Sequence, residues 1–324
     1  MAIMGIESSA HTFGVGIVEN GKVLANVKSM YKIGNKGMIP IEVSEHHIEN
    51  AGETIKLALE KAKIKSDELE GVGYTKGPGM GPCLQVGQLS AKTLSYRLKI
   101  PIVSINHGVA HVEITKHIQK MKDPLALYVS GGNSQLLVLN QNTRKYRVLG
   151  ETFDIGLGNA IDNLARSLGL EHAWGSDVER LAKEGSYIEM PYTVKGMDFS
   201  FTGLLTHAIK KLKTERNEDV CYSFQETAFS MLCEATERAL LLSNKNELCL
   251  CGGVAQNTKL STMLEIMASE HGVRFAKAPD EFNADNGAMI AVVAEKNIKN
   301  KAFEKLEDCD IKQRYRIDEV IVYE

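Results

Sequence analysis

The same local pattern occurs twice in this chain. Residues 2–27 read as a strand, a small polar turn at Glu7-Ser8-Ser9-Ala10, a strand over 13–18, the tight turn Asn20-Gly21 and a further strand. Residues 125–149 read as a strand over 125–129, the turn Ser130-Gly131-Gly132-Asn133-Ser134, a strand over 135–139, a turn over 140–143 and a strand over 146–149. Asn-Gly between two strand-like runs specifies a two-residue hairpin, because both central positions take φ > 0. Helical periodicity follows each meander. After the first, Ile48, Ala51, Ile55, Leu59 and Ala62 recur at spacings of three and four and give a helix over 41–62 one apolar face. Two copies of a meander followed by helices predict an α/β fold of two similar lobes with a cleft between them. A length of 324 residues suits two lobes rather than one. The first lobe is expected over 1–122, with 288–324 returning to it. The second is expected over 123–287, with a helical insertion at about 163–215.

Between these repeats the punctuation is strong. A strand over 71–74 runs into Gly77-Pro78-Gly79-Met80-Gly81-Pro82, whose prolines and glycines stop any helix from crossing. A helix over 84–98 and a strand over 102–105 follow, and the strand leads into His107. The second half carries expected helices over 159–168, 177–183 and 222–243, a strand over 247–251 with a glycine turn behind it, and a helix over 287–299. Hydrophobic residues at 44% and charged residues at 24% describe an ordinary globular chain. No apolar run is long enough to span a bilayer and no signal peptide is evident, so a membrane partner is not expected. Six cysteines without a Cys-x-x-Cys pair fit a reducing, cytoplasmic setting. The net charge of −3 does not announce a nucleic-acid partner; the one sizeable basic segment holds Lys195, Lys210, Lys211, Lys213 and Arg216.

Several segments carry chemistry. His107 and His111, four apart, lie on one helix face and can share a metal ion. Gly108 stands where the metalloprotease pattern needs Glu, so that reaction is not expected. Asp285, in Asn283-Ala284-Asp285-Asn286-Gly287, is a candidate third ligand or a helix cap. Ser130-Gly131-Gly132-Asn133 lets backbone N–H groups approach an anion or forms a plain hairpin turn. Gly252-Gly253-Val254-Ala255-Gln256-Asn257 leaves a buried-looking strand and opens a helix, a setting that suits a nucleotide. Asp162, early in a helix after Gly156-Leu157-Gly158-Asn159, can bond ribose hydroxyls or favour the helix dipole. His46 and His47 are adjacent, point about 100° apart and are expected to pack rather than share a metal.

Taken in order, the segments Gly5 to Thr12, Gly77 to Pro82, Asn106 to His111, Tyr128 to Asn133, Gly156 to Asp162, Gly253 to Asn257 and Asp285 to Met289 resemble one family over nearly the whole chain: the archaeal and eukaryotic tRNA N6-adenosine threonylcarbamoyltransferases, catalytic subunits of the KEOPS complex. The resemblance implies an actin-like (ASKHA) fold with duplicated RNase H-like lobes. It implies transfer of threonylcarbamoyl from threonylcarbamoyl-adenylate to N6 of the adenosine beside the anticodon, in tRNAs reading codons that begin with A. It implies one iron or zinc ion held by His107, His111 and Asp285, with Tyr128 completing the site. Tyr128, Val129, Ser130, Gly131, Gly132, Asp162, Gly175, Glu179 and Asn257 would line the adenylate pocket. Glu7 and His11 are candidate catalytic residues. Implied partners are tRNA, a kinase-like ATPase and a small dimerising subunit. The chain departs from the family at Ala173-Trp174-Gly175-Ser176, where Pro-Gly-Gly-Pro is usual, and at Lys76, where a neutral residue is common.

Two other functions fit parts of the pattern. An ATPase or small-molecule kinase of the same fold would have no use for His107 and His111. A nucleotide-binding scaffold would keep its function when the ligand residues are replaced.

Overall fold

A computed structural model describes residues 1–32, 37–170 and 174–323. The chain divides into two compact units. Unit 1 comprises Met1–Ile118, Asn140–Tyr146 and Ala284–Glu324; unit 2 comprises Gln119–Leu139 and Arg147–Asn283.

The sheet of unit 1 is built from β1 (Ala2–Glu7), β2 (Thr12–Glu19), β3 (Lys22–Met30), β4 (Leu69–Gly77) and β5 (Ile102–Asn106), in the order β3-β2-β1-β4-β5. β1, β2 and β3 form an antiparallel meander, while β4 and β5 run parallel to β1. Asn20 and Gly21 both take φ > 0 at the β2–β3 turn, as an Asn-Gly hairpin requires. The first helices of this unit are α1 (Pro40–Ala62), α2 (Gly81–Leu98) and α3 (His107–Gln119). The Gly77–Pro82 turn does not hold the helix back to residue 84. Pro82 lies in the first turn of α2, where its missing N–H costs nothing. Asn106 starts α3 by accepting the Val109 N–H at 3.1 Å.

Unit 2 repeats the plan. β6 (Leu125–Val129), β7 (Ser134–Asn140) and β8 (Lys145–Glu151) are followed by α4 (Leu157–Ser167) and α5 (Gly175–Ala182). The two-residue strands β9 (Val194–Lys195) and β10 (Asp198–Phe199), then α6 (Thr202–Lys211) and α7 (Asn217–Ser243), complete the helical part. β11 (Glu247–Cys251), α8 (Thr258–Glu270), β12 (Arg274–Lys277) and the short α9 (Asp280–Asn283) close the unit. The sheet order is β12-β11-β6-β7-β8, with β6 antiparallel to β7 and parallel to β11. Read from β8, this is the order of the first sheet. α6 falls within the helical insertion expected over about 163–215, although its own bounds were not marked in the sequence.

α10 (Gly287–Lys299) returns to unit 1 and lies on β1 and β2. The approach is so close that a Cβ on Gly5 would stand 2.1 Å from the Ala291 nitrogen, and one on Gly16 2.2 Å from that of Ala288. Glycine in these strands exists for contact, not for a turn. Among the described residues no helix is long and apolar enough to cross a membrane.

Candidate metal centre and nucleotide-binding segments

In unit 1, α3 presents His107 and His111 one turn apart, with ring centroids 4.6 Å apart and planes at 87°. Their Nε2 atoms are 3.2 Å apart. Asp285, in the turn before α10, places Oδ1 3.3 Å from Nε2 of His111 and 3.5 Å from Nε2 of His107. Three donor atoms therefore converge, as one metal ion needs. Asn286 fixes that turn: its side chain accepts the Met289 N–H at 3.0 Å and donates to the Ala284 carbonyl at 2.8 Å.

Behind His107 stands Glu7. Its carboxylate is fully buried and accepts from His107 Nδ1 at 3.0 Å, Thr75 Oγ1 at 2.7 Å and the Ser9 N–H at 2.6 Å. A carboxylate on Nδ1 puts the proton there and turns the Nε2 lone pair toward the convergence point. Glu7, a candidate catalytic residue in the sequence, is thus engaged on the protein side of His107. His11 lies half-buried in the β1–β2 turn. Burial works to raise the Asp285 carboxyl, but His107 and His111, with a smaller share from His11, outweigh it and hold it down.

The electrostatics favour a cation. Burial works against charge on His107, but the Glu7 and Asp285 carboxylates outweigh it and hold its pKa up to about 9. Burial pushes His111 down, leaving it neutral and available as a ligand. A proton on His107 offsets the two carboxylates, and a divalent ion would supply that charge in its place. The donor set of two imidazoles and one carboxylate fits a first-row transition metal and leaves coordination positions open.

The adjacent histidines on α1 take no part in this group. His47 is buried and its Nε2 donates to the Ala10 carbonyl at 2.9 Å, while His46 meets Ser29 Oγ at 3.1 Å.

The nucleotide candidates all lie in unit 2. Tyr128 and Val129 end β6 and are buried. The Ser130–Asn133 turn is clamped to the start of α4, where Gly158 N–H donates to Ser130 O at 3.1 Å and Asn159 N–H to Gly131 O at 3.0 Å. A Cβ on Gly158 would meet Gly131 Cα at 2.8 Å, which explains the glycine. Gly252, at φ +96°, sets the turn after β11 against Val129 O, so the C-terminal ends of β6 and β11 lie together. Gly175 begins α5 beside Asp162, whose Oδ1 would lie 3.7 Å from a Cβ there. Glu179 accepts the Thr258 N–H at 3.0 Å. Asn257 caps α8 through Leu260 N–H at 3.1 Å and donates to Gln225 Oε1 at 2.8 Å. The sequence signalled the glycines; it held no sign of Gln225, which reaches Asn257 from α7.

Trp174, 37% exposed, precedes α5, its N–H donating to Asp177 Oδ2 at 3.0 Å. Ala173 of the departing segment lies outside the described residues. Lys76 pairs with Asp310 at 2.5 Å and Glu304 at 3.9 Å, so its charge is answered by the C-terminal segment.

The family described as TsaD, tRNA N6-adenosine threonylcarbamoyltransferase, matches residues 22–292. A relative of that name from Thermococcus kodakarensis is 47% identical over 325 residues, covering 99% of either chain. One from Methanopyrus kandleri is 45% identical over 334 residues, covering 99% of this chain and 96% of its own. A Methanocaldococcus jannaschii protein named probable bifunctional tRNA threonylcarbamoyladenosine biosynthesis protein is 46% identical over 99% of this chain but only 60% of its own length. Among solved structures, T. kodakarensis HypF matches with TM-score 0.65 at 14% identity, over 95% of this chain and 48% of that one. The activator of 2-hydroxyisocaproyl-CoA dehydratase from Clostridium difficile, with bound ADPNP, matches with TM-score 0.56 at 13% identity, over 94% and 99%. These two likenesses show the fold, which is α/β and actin-like with a duplicated mixed sheet. The full-length relatives carry the assignment further: the chain belongs to the tRNA N6-adenosine threonylcarbamoyltransferase family.

Proposed function

We propose that this transferase moves threonylcarbamoyl from threonylcarbamoyl-AMP to N6 of the adenosine next to the anticodon, in tRNAs reading codons that begin with A. The observation that carries the reading is the convergence of His107 Nε2, His111 Nε2 and Asp285 Oδ1 in a chain whose full-length relatives bear the transferase name. These three residues would hold the metal, iron or zinc. When bound, the ion would act as a Lewis acid toward the donor's carbamoyl carbonyl and help to orient it. Glu7 keeps His107 in the tautomer that a ligand needs. The adenylate is assigned to the glycine turns at 130–132 and 252–253, with Asp162 for the ribose. These turns stand at the carboxyl ends of parallel strands, where open α/β sheets bind ligands. The leaving group is AMP, a good one because the donor is a mixed anhydride.

The proposed partners are a kinase-like ATPase and a small dimerising subunit of a KEOPS-type assembly, working in the cytoplasm. Support comes from the M. jannaschii relative, whose chain extends well beyond the part matched here and is named bifunctional. The test is nucleoside analysis of tRNA incubated with the assembled enzyme and the adenylate donor. Threonylcarbamoyladenosine is expected, and its absence with intact donor and tRNA would refute the reading.

A further inference from the structure

A second buried charge cluster in unit 1 has no part in the chemistry above. Glu113, on α3 just beyond His111, is completely buried. Its Oε1 accepts from Lys116 Nζ at 2.9 Å and from the Tyr146 hydroxyl at 2.6 Å, and its Oε2 accepts from Lys296 Nζ at 2.7 Å. Lys116 is 6% exposed and Tyr146 3%. Removing such charges from water costs about as much as their attraction returns, so net stability is a poor reason for them. What such a group offers instead is a directional connection that an apolar contact cannot give.

The elements it connects are telling. α3 carries His107 and His111 at its start, and Lys296 belongs to α10, which starts directly after the turn that carries Asp285. A second link runs beside the first. The Gly21 N–H donates to the Glu295 carboxylate at 3.0 Å, and the Gly21 carbonyl accepts from His117 Nε2. His117 lies one turn beyond Glu113 on α3, and Glu295 is the neighbour of Lys296 on α10. The two helices are thus tied at two successive levels, directly through Glu113–Lys296 and through the Gly21 peptide. Both ties lie downstream of the ends that present the three donor atoms.

We propose that Glu113 is a positioning residue for the His107–His111–Asp285 group, locking α3 to α10 and so setting the distance of the two imidazoles from the carboxylate. The inference rests on the reading of those three residues as metal ligands. Metal–ligand distances tolerate only about 0.2 Å, so a small slip between the helices costs affinity without unfolding the chain.

The test uses the full chain stripped of metal and titrated with Zn²⁺ alone against a chromophoric chelator, with Co²⁺ spectra and the unfolding midpoint of the metal-free protein measured in parallel. Glu113→Gln and Lys296→Met are expected to weaken Zn²⁺ binding by about tenfold or more, the range found when outer-shell partners are lost. Both should shift the Co²⁺ d–d bands, whereas Lys296→Arg, which keeps the charge and donors, should leave both readouts as in wild type. If Glu113→Gln does not fold, Lys296→Met at a partly exposed position carries the comparison. Folded variants that lose stability yet bind Zn²⁺ within twofold of wild type, with unchanged Co²⁺ bands, would show the cluster to be structural only and overturn the brace. A wild-type chain that binds no metal would overturn the ligand reading, and the brace with it.

Discussion

Two imidazoles at i and i+4 on a helix can be read from any sequence; what makes them a site is the company they keep. Glu7 and Asp285 reach His107 and His111 from β1 and from the turn before α10, across sequence separations of 100 and 174 residues. Local spacing therefore revealed the histidines and left Asp285 a candidate ligand or cap; the fold is what brings it and Glu7 to them. The expected outcome of elemental analysis is about one transition-metal ion per wild-type chain and a marked loss in His111→Ala; equal content would remove the assignment. His47 offers a separate test away from the group. Burial lowers its pKa from the ordinary histidine value of 6.5 to about 4. The folded chain thus resists a proton that the unfolded chain accepts, so the stability contributed by neutral His47 is present above pH 6.5 and is lost as the pH falls toward 4. A tenfold change in proton affinity corresponds to about 1.4 kcal/mol, so His47 accounts for at most about 3.5 kcal/mol of that loss. Urea unfolding at pH 7 and pH 5 should show the wild type weaker at pH 5, and His47→Gln should narrow the gap. An unchanged gap would mean that His47 does not report burial in this way.

The elements were legible where one face is apolar and the ends are marked. The strand over 247–251 and the helix over 287–299 coincide with β11 and α10. α2 begins at Gly81, inside a turn expected to exclude helix, because proline is excluded from a helix interior but not from its first turn. What sequence could not reveal is why β1 and β2 tolerate Gly5, Gly14 and Gly16: the reason is α10, which sits far away in the chain and close in space. Gly16→Ala should force the helix off the sheet and destabilise the protein by about 1–3 kcal/mol, as overpacking of a core does. A urea midpoint within error of wild type would show that the helix can shift freely. Asn257 tests whether a cap and a ligand role coincide. Its side chain holds the first turn of α8 and Gln225, so Asn257→Ala should cost about 1 kcal/mol of stability. If it also lines the adenylate site, calorimetric affinity for AMP should fall while the chain stays folded; unchanged affinity would leave it a cap alone.

For the whole molecule, duplication was visible because a meander writes its turns into the sequence, and the two sheets do share one strand order. The surface was harder to foresee. On the helices over 41–62 and 84–98, Ala51, Ile55, Leu59 and Leu94 pack against the buried cluster of unit 1. Leu89 does not, at 65% exposed, and it is joined on these two mutually packed helices by Ile41, Ile48, Leu57 and Tyr96 at 58%, 65%, 42% and 74%. Ile48 was expected on the apolar face of the helix over 41–62 and lies outward instead: the buried face is set by Val43, His47, Thr54 and Ala58, so the three-and-four spacing of apolar residues alone misplaces it. Ile41 and Ile48, seven apart on α1, and Leu89 and Tyr96, seven apart on α2, each form an exposed apolar stripe, and such stripes on two packed helices suit a helical partner. The charge balance points the same way. A net charge of −3 supplies little attraction for tRNA, and of the basic segment at 195–216, Lys211 and Arg216 are already paired with Glu215, Glu218 and Asp219. Phosphate contacts dominate the hold on nucleic acid, and that hold weakens as salt rises. The lone chain should therefore modify tRNA poorly even when given the adenylate donor, and partner subunits should raise the rate by at least tenfold at one fixed salt concentration. Replacing Ile48 and Leu89 by glutamine should leave the lone chain's metal content unchanged but abolish the gain from partners that dock on this face. A lone chain as fast as the assembly would show that its own surface suffices for tRNA.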